Sequence, residues 1–313
     1  MGFYAEVRAE IVRKLPERGE ERRAFLSGYL RAAGSVLYRG GKFGFSFAAD
    51  EPELADFLCE ALNDLYGAEI SEAEIEEDKL NRKEKIAVEC FSAGAARILA
   101  DLGIVTPAGE LDFSLAHSFL SDDRLRRSYL RGMFLGAGYV TLPSGGGSKT
   151  GYHLEFIFSC YEVAAEFSDY LAQISVFPTL TERKDHFIVY VKSSEEIKDF
   201  FALLSLPKSV LRITDCMVER EIRGAVNRQR NCDVGNVTKQ VAASEKQIAA
   251  IGKIDAAIGL SELPDALQIT AKARRDYPEE TLAELAERLS VTKSCLNHRL
   301  RKLVELAKAE AEK

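Results

Sequence analysis

Hydrophobic and polar positions along the chain change period several times, and the changes come in a fixed order. In RRAFLSGYLRAAGSV (22–36) apolar residues recur at helical spacing. After Gly34 come two short alternating runs split by a Gly40–Gly41 turn. In the second, KFGFSFA, Phe43, Phe45 and Phe47 alternate with smaller residues. Alternation about a glycine turn predicts a β-hairpin. EPELADFLCEALNDLYG (51–67) returns to the helical period. A second hairpin ends in KIAVECF (85–91), and SAGAARILADLG (92–103) predicts a closing helix.

The order then repeats. RRSYLRGMFLGAGYV (126–140) lies on the first helix at an offset of 104 residues, matching Leu26 to Leu130, Gly28 to Gly132, Ala33 to Ala137 and Gly34 to Gly138. A longer loop, PSGGGSKTG, leads to YHLEFIF, with Tyr152, Leu154, Phe156 and Phe158 alternating. CYEVAAEFSDYLAQI predicts a helix, HFIVYVK (186–192) a strand, and SSEEIKDFFALLS (193–205) a final helix. The expected fold is α+β, a duplicated αββαββα domain over residues 1–204, with repeats at about 1–105 and 106–204. Antiparallel hairpins would carry helices against one face.

The opening helix of each repeat holds small residues four apart, Gly28 and Ala32 in one, Gly132 and Gly136 in the other. Glycine inside a helix costs about 1 kcal/mol relative to alanine. Close approach of two helix backbones offsets that cost, so the two repeat helices are expected to pack together about a pseudo-two-fold axis.

These two segments resemble the signature helices of the LAGLIDADG homing endonucleases. Leu26-Ser27-Gly28-Tyr29-Leu30-Arg31-Ala32-Ala33-Gly34 and Leu130-Arg131-Gly132-Met133-Phe134-Leu135-Gly136-Ala137-Gly138 lie on the signature residue for residue. The resemblance implies that the penultimate position of each helix is where that family places a metal-holding acid. Here those positions are Ala33 and Ala137, and a methyl group offers no oxygen to a divalent cation. The expectation is a degenerate scaffold with no catalytic residues. The alternative is a metal-dependent homing-type DNA endonuclease, in which a carboxylate from elsewhere, such as Asp122 or Asp123, stands in.

Charge divides the chain. The net charge is −7, but residues 1–204 carry 23 Lys and Arg against 33 Asp and Glu, and residues 205–313 carry 19 against 16. A polyanion is therefore expected to meet the C-terminal third. Few cations lie on the KFGFSFA and YHLEFIF strands. Their aromatics and the acidic balance suggest a protein- or ligand-binding sensor in the first domain. The six cysteines are scattered with no C-x-x-C, as in reduced cytosolic proteins, and the four histidines are far apart; no metal or other cofactor is expected. No apolar run approaches the roughly 18 residues of a membrane span, and the N-terminus has no apolar signal core.

Residues 205–230 read as a linker helix, with ITDCMVEREIRGAVNRQR at its heart and Asn227, Arg228 and Arg230 as candidate phosphate contacts. Residues 231–313 read as an all-α domain. Val237, Val241, Ile248, Ile251 and Ile254 space a helix that Gly259 ends, and another runs from about Pro264 to Arg275. Thr281-x-x-Glu284 is a capping box that starts a further helix. Leu282, Leu285 and Leu289 form its apolar face. Ala286 is small enough for a second helix to cross, Ser290-Val291-Thr292 forms the turn, and Leu296, Leu300 and Leu303 stripe the helix beyond. The rest of that helix presents Lys293, Ser294, Asn297, His298 and Arg301, flanked by Arg299 and Lys302. The pattern predicts a helix-turn-helix with its second helix in the major groove of double-stranded DNA. An ordinary amphipathic hairpin with a solvated basic face would share it.

The whole chain resembles the WhiA family of bacterial transcription regulators, most specifically in FLSGYLRAAGSV, YLRGMFLGAGYV, VNRQRNCDVGNVTKQV and TKSCLNHRLRKL. Cys295 stands where a smaller residue such as glycine would be typical. The resemblance implies a cytoplasmic, nucleoid-associated, sequence-specific regulator of sporulation and cell-division genes that binds promoters and is not an enzyme. It also implies a protein partner, a WhiB-type iron–sulfur regulator.

Overall fold

The computed structural model describes residues 2–68, 70, 72–78, 83–91, 94–143 and 151–311. The expected loop PSGGGSKTG lies almost entirely outside them. At the centre of the first compact unit (residues 1–219) helix α2 (Gly19–Ala33) lies against helix α6 (Asp123–Ala137). Contact is backbone to backbone. A Cβ added at Gly28 would sit 2.1 Å from the Tyr129 carbonyl oxygen, and one at Gly132 2.3 Å from that of Phe25. At Gly136 it would stand 2.7 Å from the Ala32 Cβ. The glycine spacing read from the sequence is thus the spacing of the contact.

Each central helix leads directly into a sheet. β1 (Ser35–Arg39), β2 (Lys42–Ala49), β3 (Glu72–Asp78) and β4 (Lys83–Cys90) pair in the order β1-β2-β4-β3. β5 (Gly138–Thr141), β6 (His153–Phe158), β7 (Thr179–Arg183) and β8 (His186–Val191) repeat it as β5-β6-β8-β7. All pairings are antiparallel, with Phe47 opposite Val88 and Phe156 opposite Val189. Each hairpin pair is crossed by one helix and closed by another: α3 (Pro52–Tyr66) and α4 (Ala95–Asp101) in the first repeat, α7 (Tyr161–Gln173) and α8 (Ser194–Leu203) in the second. A short helix, α5 (His117–Leu120), precedes α6, and α1 (Phe3–Val12) opens the chain.

The phenylalanines of β2 and β6 face inward. Phe45, Phe47, Phe156 and Phe158 join one core with Phe25, Leu26, Phe134, Phe167 and Phe200. The sequence reading that treated them as part of a recognition surface is corrected: they are the helix-covered side of each sheet. The other side carries Ser46 and Ala48 in the first repeat, and His153, Glu155 and Ile157 in the second.

The two copies also close their final helices alike. Ser27 donates its hydroxyl to the Leu102 carbonyl at 2.6 Å, beyond the end of α4. Its counterpart 104 residues on is Arg131. That side chain donates from Nε (3.0 Å) and Nη2 (2.7 Å) to the Leu204 carbonyl beyond the end of α8, and from Nη1 to the Lys14 carbonyl. Both satisfy carbonyls that a helix end leaves open. Burial pulls Arg131 down to about 10, the cost of using a cation where the first copy uses a hydroxyl.

A single helix, α9 (Pro207–Ala257), follows. The sequence reading placed a linker helix and a separate second helix there. No proline or charge block separates them, and one glycine, Gly235, costs too little to stop a helix with turns on both sides. The N-terminus of α9 is capped from far away in sequence. The buried Glu10 carboxylate of α1 accepts from the Lys208 and Ser209 main-chain N–H groups (3.0 and 2.9 Å) and from the Ser209 hydroxyl (2.6 Å). Three donors on one buried carboxylate, at a helix N-terminus, make it a strong contact. Glu10→Ala is expected to lower the stability of this unit by about 2 kcal/mol, because buried donors lose their partner. Urea unfolding with wild type alongside measures it; an unchanged midpoint would show that water replaces the carboxylate without loss.

The second compact unit, residues 220–313, begins within α9. Gly259 ends that helix at φ +84°, its N–H bonded to the Ile254 carbonyl. Then come α10 (Asp265–Asp276), α11 (Leu282–Arg288) and α12 (Lys293–Ala311). Ile251, Ile254, Leu267, Ala271, Leu285, Leu296, Leu300 and Leu303 form their shared core.

Candidate nucleic-acid interface

The α11–turn–α12 segment starts from its caps. The Thr281 hydroxyl accepts from the Glu284 N–H (3.2 Å) and the Glu284 carboxylate accepts from the Thr281 N–H (2.8 Å), completing the capping box. The Thr281 main-chain N–H, with the Thr281 hydroxyl beside it, holds the Glu284 carboxyl below the usual carboxylate range. Leu285 and Ala286 are buried where α12 crosses. The chain reverses through Ser290, at φ +52°. The Val291 N–H bonds back to the Ala286 carbonyl (2.9 Å), and the Thr292 hydroxyl accepts the Cys295 N–H (3.2 Å) to open α12.

This geometry sorts the side chains of α12. Leu296, Leu300 and Leu303 point into the core. Lys293, Ser294, Asn297, His298, Arg301 and Lys302 are exposed, and Arg299 is half-buried. Among the described residues none of these cations is drawn into an ion pair. Lys293 stands in the first turn, where the helix dipole disfavours a cation and a nearby anion would offset that. Residues 293, 294, 297, 298 and 301 follow helical spacing, so they share one outward face. Asn227 and Arg228 lie exposed on α9. Cys295 is partly buried beside Leu296, and its small side chain leaves the outer face open.

Ala33 and Ala137 end α2 and α6, each just before a glycine, and a Cβ added at Gly136 would stand 3.2 Å from the Ala33 Cβ. Both present methyl groups, so this position does not fit a divalent cation. Asp122 and Asp123 cannot substitute, since they begin α6 and stand about 20 Å from Ala137 along a 15-residue helix. Asp122 is engaged there as the N-cap, accepting from Arg124 N (2.8 Å) and Leu125 N (3.1 Å), and Asp123 pairs with Arg126. Among the described residues no group of three or more His, Cys, Asp or Glu is placed to hold a metal ion. No helix among them is long and apolar enough to cross a membrane.

The open side of the sheets carries both signs of charge: in the first repeat Arg39 pairs with Glu89 at 3.5 Å and Lys85 with Asp50 at 3.7 Å. Its register sets Ser46 opposite Glu89 and Ala48 opposite Ala87 in the first repeat. In the second, Glu155 lies between Tyr139 and Tyr190, and His153 contacts Glu155 at 2.9 Å.

Residues 226–307 match the WhiA C-terminal HTH domain, and residues 22–85 and 126–223 match the WhiA LAGLIDADG-like domain. Among curated relatives, the chain is 32% identical to a probable cell division protein WhiA of Clostridium beijerinckii, over 98% of both chains. It is 31% identical to that of Clostridium botulinum, over 98% of both. The fold is similar to the crystal structure of full-length DUF199/WhiA from Thermatoga maritima, covering 99% of both chains at a TM-score of 0.58 and 24% identity.

Proposed function

This chain belongs to the WhiA family, and from that premise we propose that it is a sequence-specific, DNA-binding transcription regulator of cell-division and sporulation genes, with no nuclease activity. The observation that carries the reading is the capped α11–turn–α12 unit, whose outer face gathers amide, imidazole and guanidinium groups unclaimed by the fold. Asn297 and Arg301 have the donor and acceptor sets that read adenine and guanine edges, with Ser294 and His298 beside them. Lys293, Arg299 and Lys302 hold flanking phosphates, and Asn227 and Arg228 extend that role onto α9. Residues 1–204 act as a scaffold, residues 205–230 as the link and residues 231–313 as the reader. The place of work is the nucleoid.

The scaffold's silence as a nuclease follows from Ala33 and Ala137. Phosphodiester cleavage by two metals needs carboxylate oxygens at that position, and both copies lack them. Crosslinking the protein in cells and sequencing the attached DNA should return promoters sharing one motif. Purified protein should bind a duplex carrying that motif at least a thousandfold more tightly than random duplex, and leave it uncut in magnesium or manganese. Equal affinity for both duplexes would refute the reading, and specific strand cleavage would restore the endonuclease.

A further inference from the structure

Within the second unit a cleft of about 500 Å³ opens beside the start of α12. One helical face of α9 lines it with Lys239, Gln240, Ser244 and Gln247; Thr281 and Lys293 stand across from them, and Arg274 of α10 lies at its base. Arg274 is unusual. It is 2% exposed, and no carboxylate pairs with it among the described residues. Its Nη1 donates to the Glu280 main-chain carbonyl (2.9 Å), with longer contacts to Tyr277, Pro278 and Ser244, so the side chain organises the loop before α11. Its Nε is buried without a partner. Glu280, whose charge reaches Arg274, turns its own carboxylate to Arg288 instead. Burial outweighs Glu280 and draws the guanidinium below the usual arginine value. Gln247 adds a second unpartnered buried atom, its amide oxygen, and amide oxygen and nitrogen exchange by a flip.

A buried cation whose Nε has no partner, and two exposed lysines at the rim of the same cleft, lack an anion. We infer that the cleft holds a backbone phosphate of bound DNA, with Lys239 and Arg274 as phosphate contacts beyond the α12 face. This rests on the reading of the chain as a DNA binder and adds α9 to the α12 contacts. Phosphate contacts fix register and orientation and carry no base information, so Lys239 would set how α12 enters the groove.

The test uses the full-length protein and a labelled random-sequence duplex, because the contact is sequence-independent. Lys239→Gln, at an exposed position, should weaken binding roughly five- to tenfold at 0.1 M salt and reduce the slope of log affinity against log salt by about 1. The operator and random duplexes should lose equally. Arg274→Gln should do the same where its unfolding midpoint matches wild type; Lys239→Gln decides the matter if that variant does not fold. Unchanged affinity and slope in Lys239→Gln overturn the inference while leaving the α12 reading intact. If wild type binds no duplex at all, both fail. Calorimetry with inorganic phosphate and with ATP forms the other arm. Saturable uptake that Lys239→Gln abolishes, without any change in the DNA slope, would assign the cleft to a free phosphate compound instead.

Discussion

Gly28→Ala is expected to lose about 3 kcal/mol or more of stability in the first unit, even though alanine is the better helix former by about 1 kcal/mol. The added methyl would lie 2.1 Å from the Tyr129 carbonyl oxygen and 2.9 Å from its carbon. Neither atom can move without shifting α6 itself, so the helices must separate and open the core on both sides. Gly132→Ala meets Phe25 and Tyr29 backbone at 2.3 and 2.8 Å and should cost about as much. Because both act by forcing apart the same pair of helices, the double variant should cost less than the sum. Gly252 on α9 has nothing within 4 Å of an added Cβ, and Gly252→Ala should be neutral or stabilising by up to about 1 kcal/mol. Urea unfolding, monitored separately for each unit's transition, checks all four. A Gly28→Ala protein as stable as wild type would mean that α2 and α6 do not touch.

That contact was readable in the sequence because it is local twice over. Each glycine sits in its own helix at a recognisable spacing, and the 104-residue repeat says which helix meets which. The hairpins, the capping box and the stop at Gly259 were legible for the same reason: each is written within a few residues. What escaped the sequence lies between distant positions. Glu10 and Ser209 are 199 residues apart, and Arg131 and Leu204 are 73 apart. A buried arginine and a surface arginine look alike until the fold decides what surrounds them. Arg274, buried in the second unit, gave no more signal than its exposed neighbour Arg275. The strand aromatics misled differently. Alternation shows that a strand has two faces but does not label them, and Phe45, Phe47, Phe156 and Phe158 belong to the covered one. Without them, a sensor role for the first unit loses the aromatics that suggested it.

The second large effect concerns the exposed face of α12. Asn297→Ala combined with Arg301→Ala should weaken binding to the operator by roughly 100- to 1,000-fold, since each base-reading contact is worth about 1–3 kcal/mol. Binding to random duplex should fall far less, because non-specific affinity comes from phosphates. The specificity ratio therefore collapses. Both residues are exposed and neither supports the core of Leu296, Leu300 and Leu303, so the folded stability of the second unit should stay within about 0.5 kcal/mol of wild type. That separation is what a solvated amphipathic hairpin could not produce: it would lose nothing on either duplex. Lys302→Gln is the companion measurement. It should lower affinity for both duplexes alike and reduce the salt slope by about 1, leaving the ratio unchanged. If the double variant binds its operator as tightly as wild type, α12 does not read bases through this face. The recognition surface would then have to be sought on α9 or in the first unit.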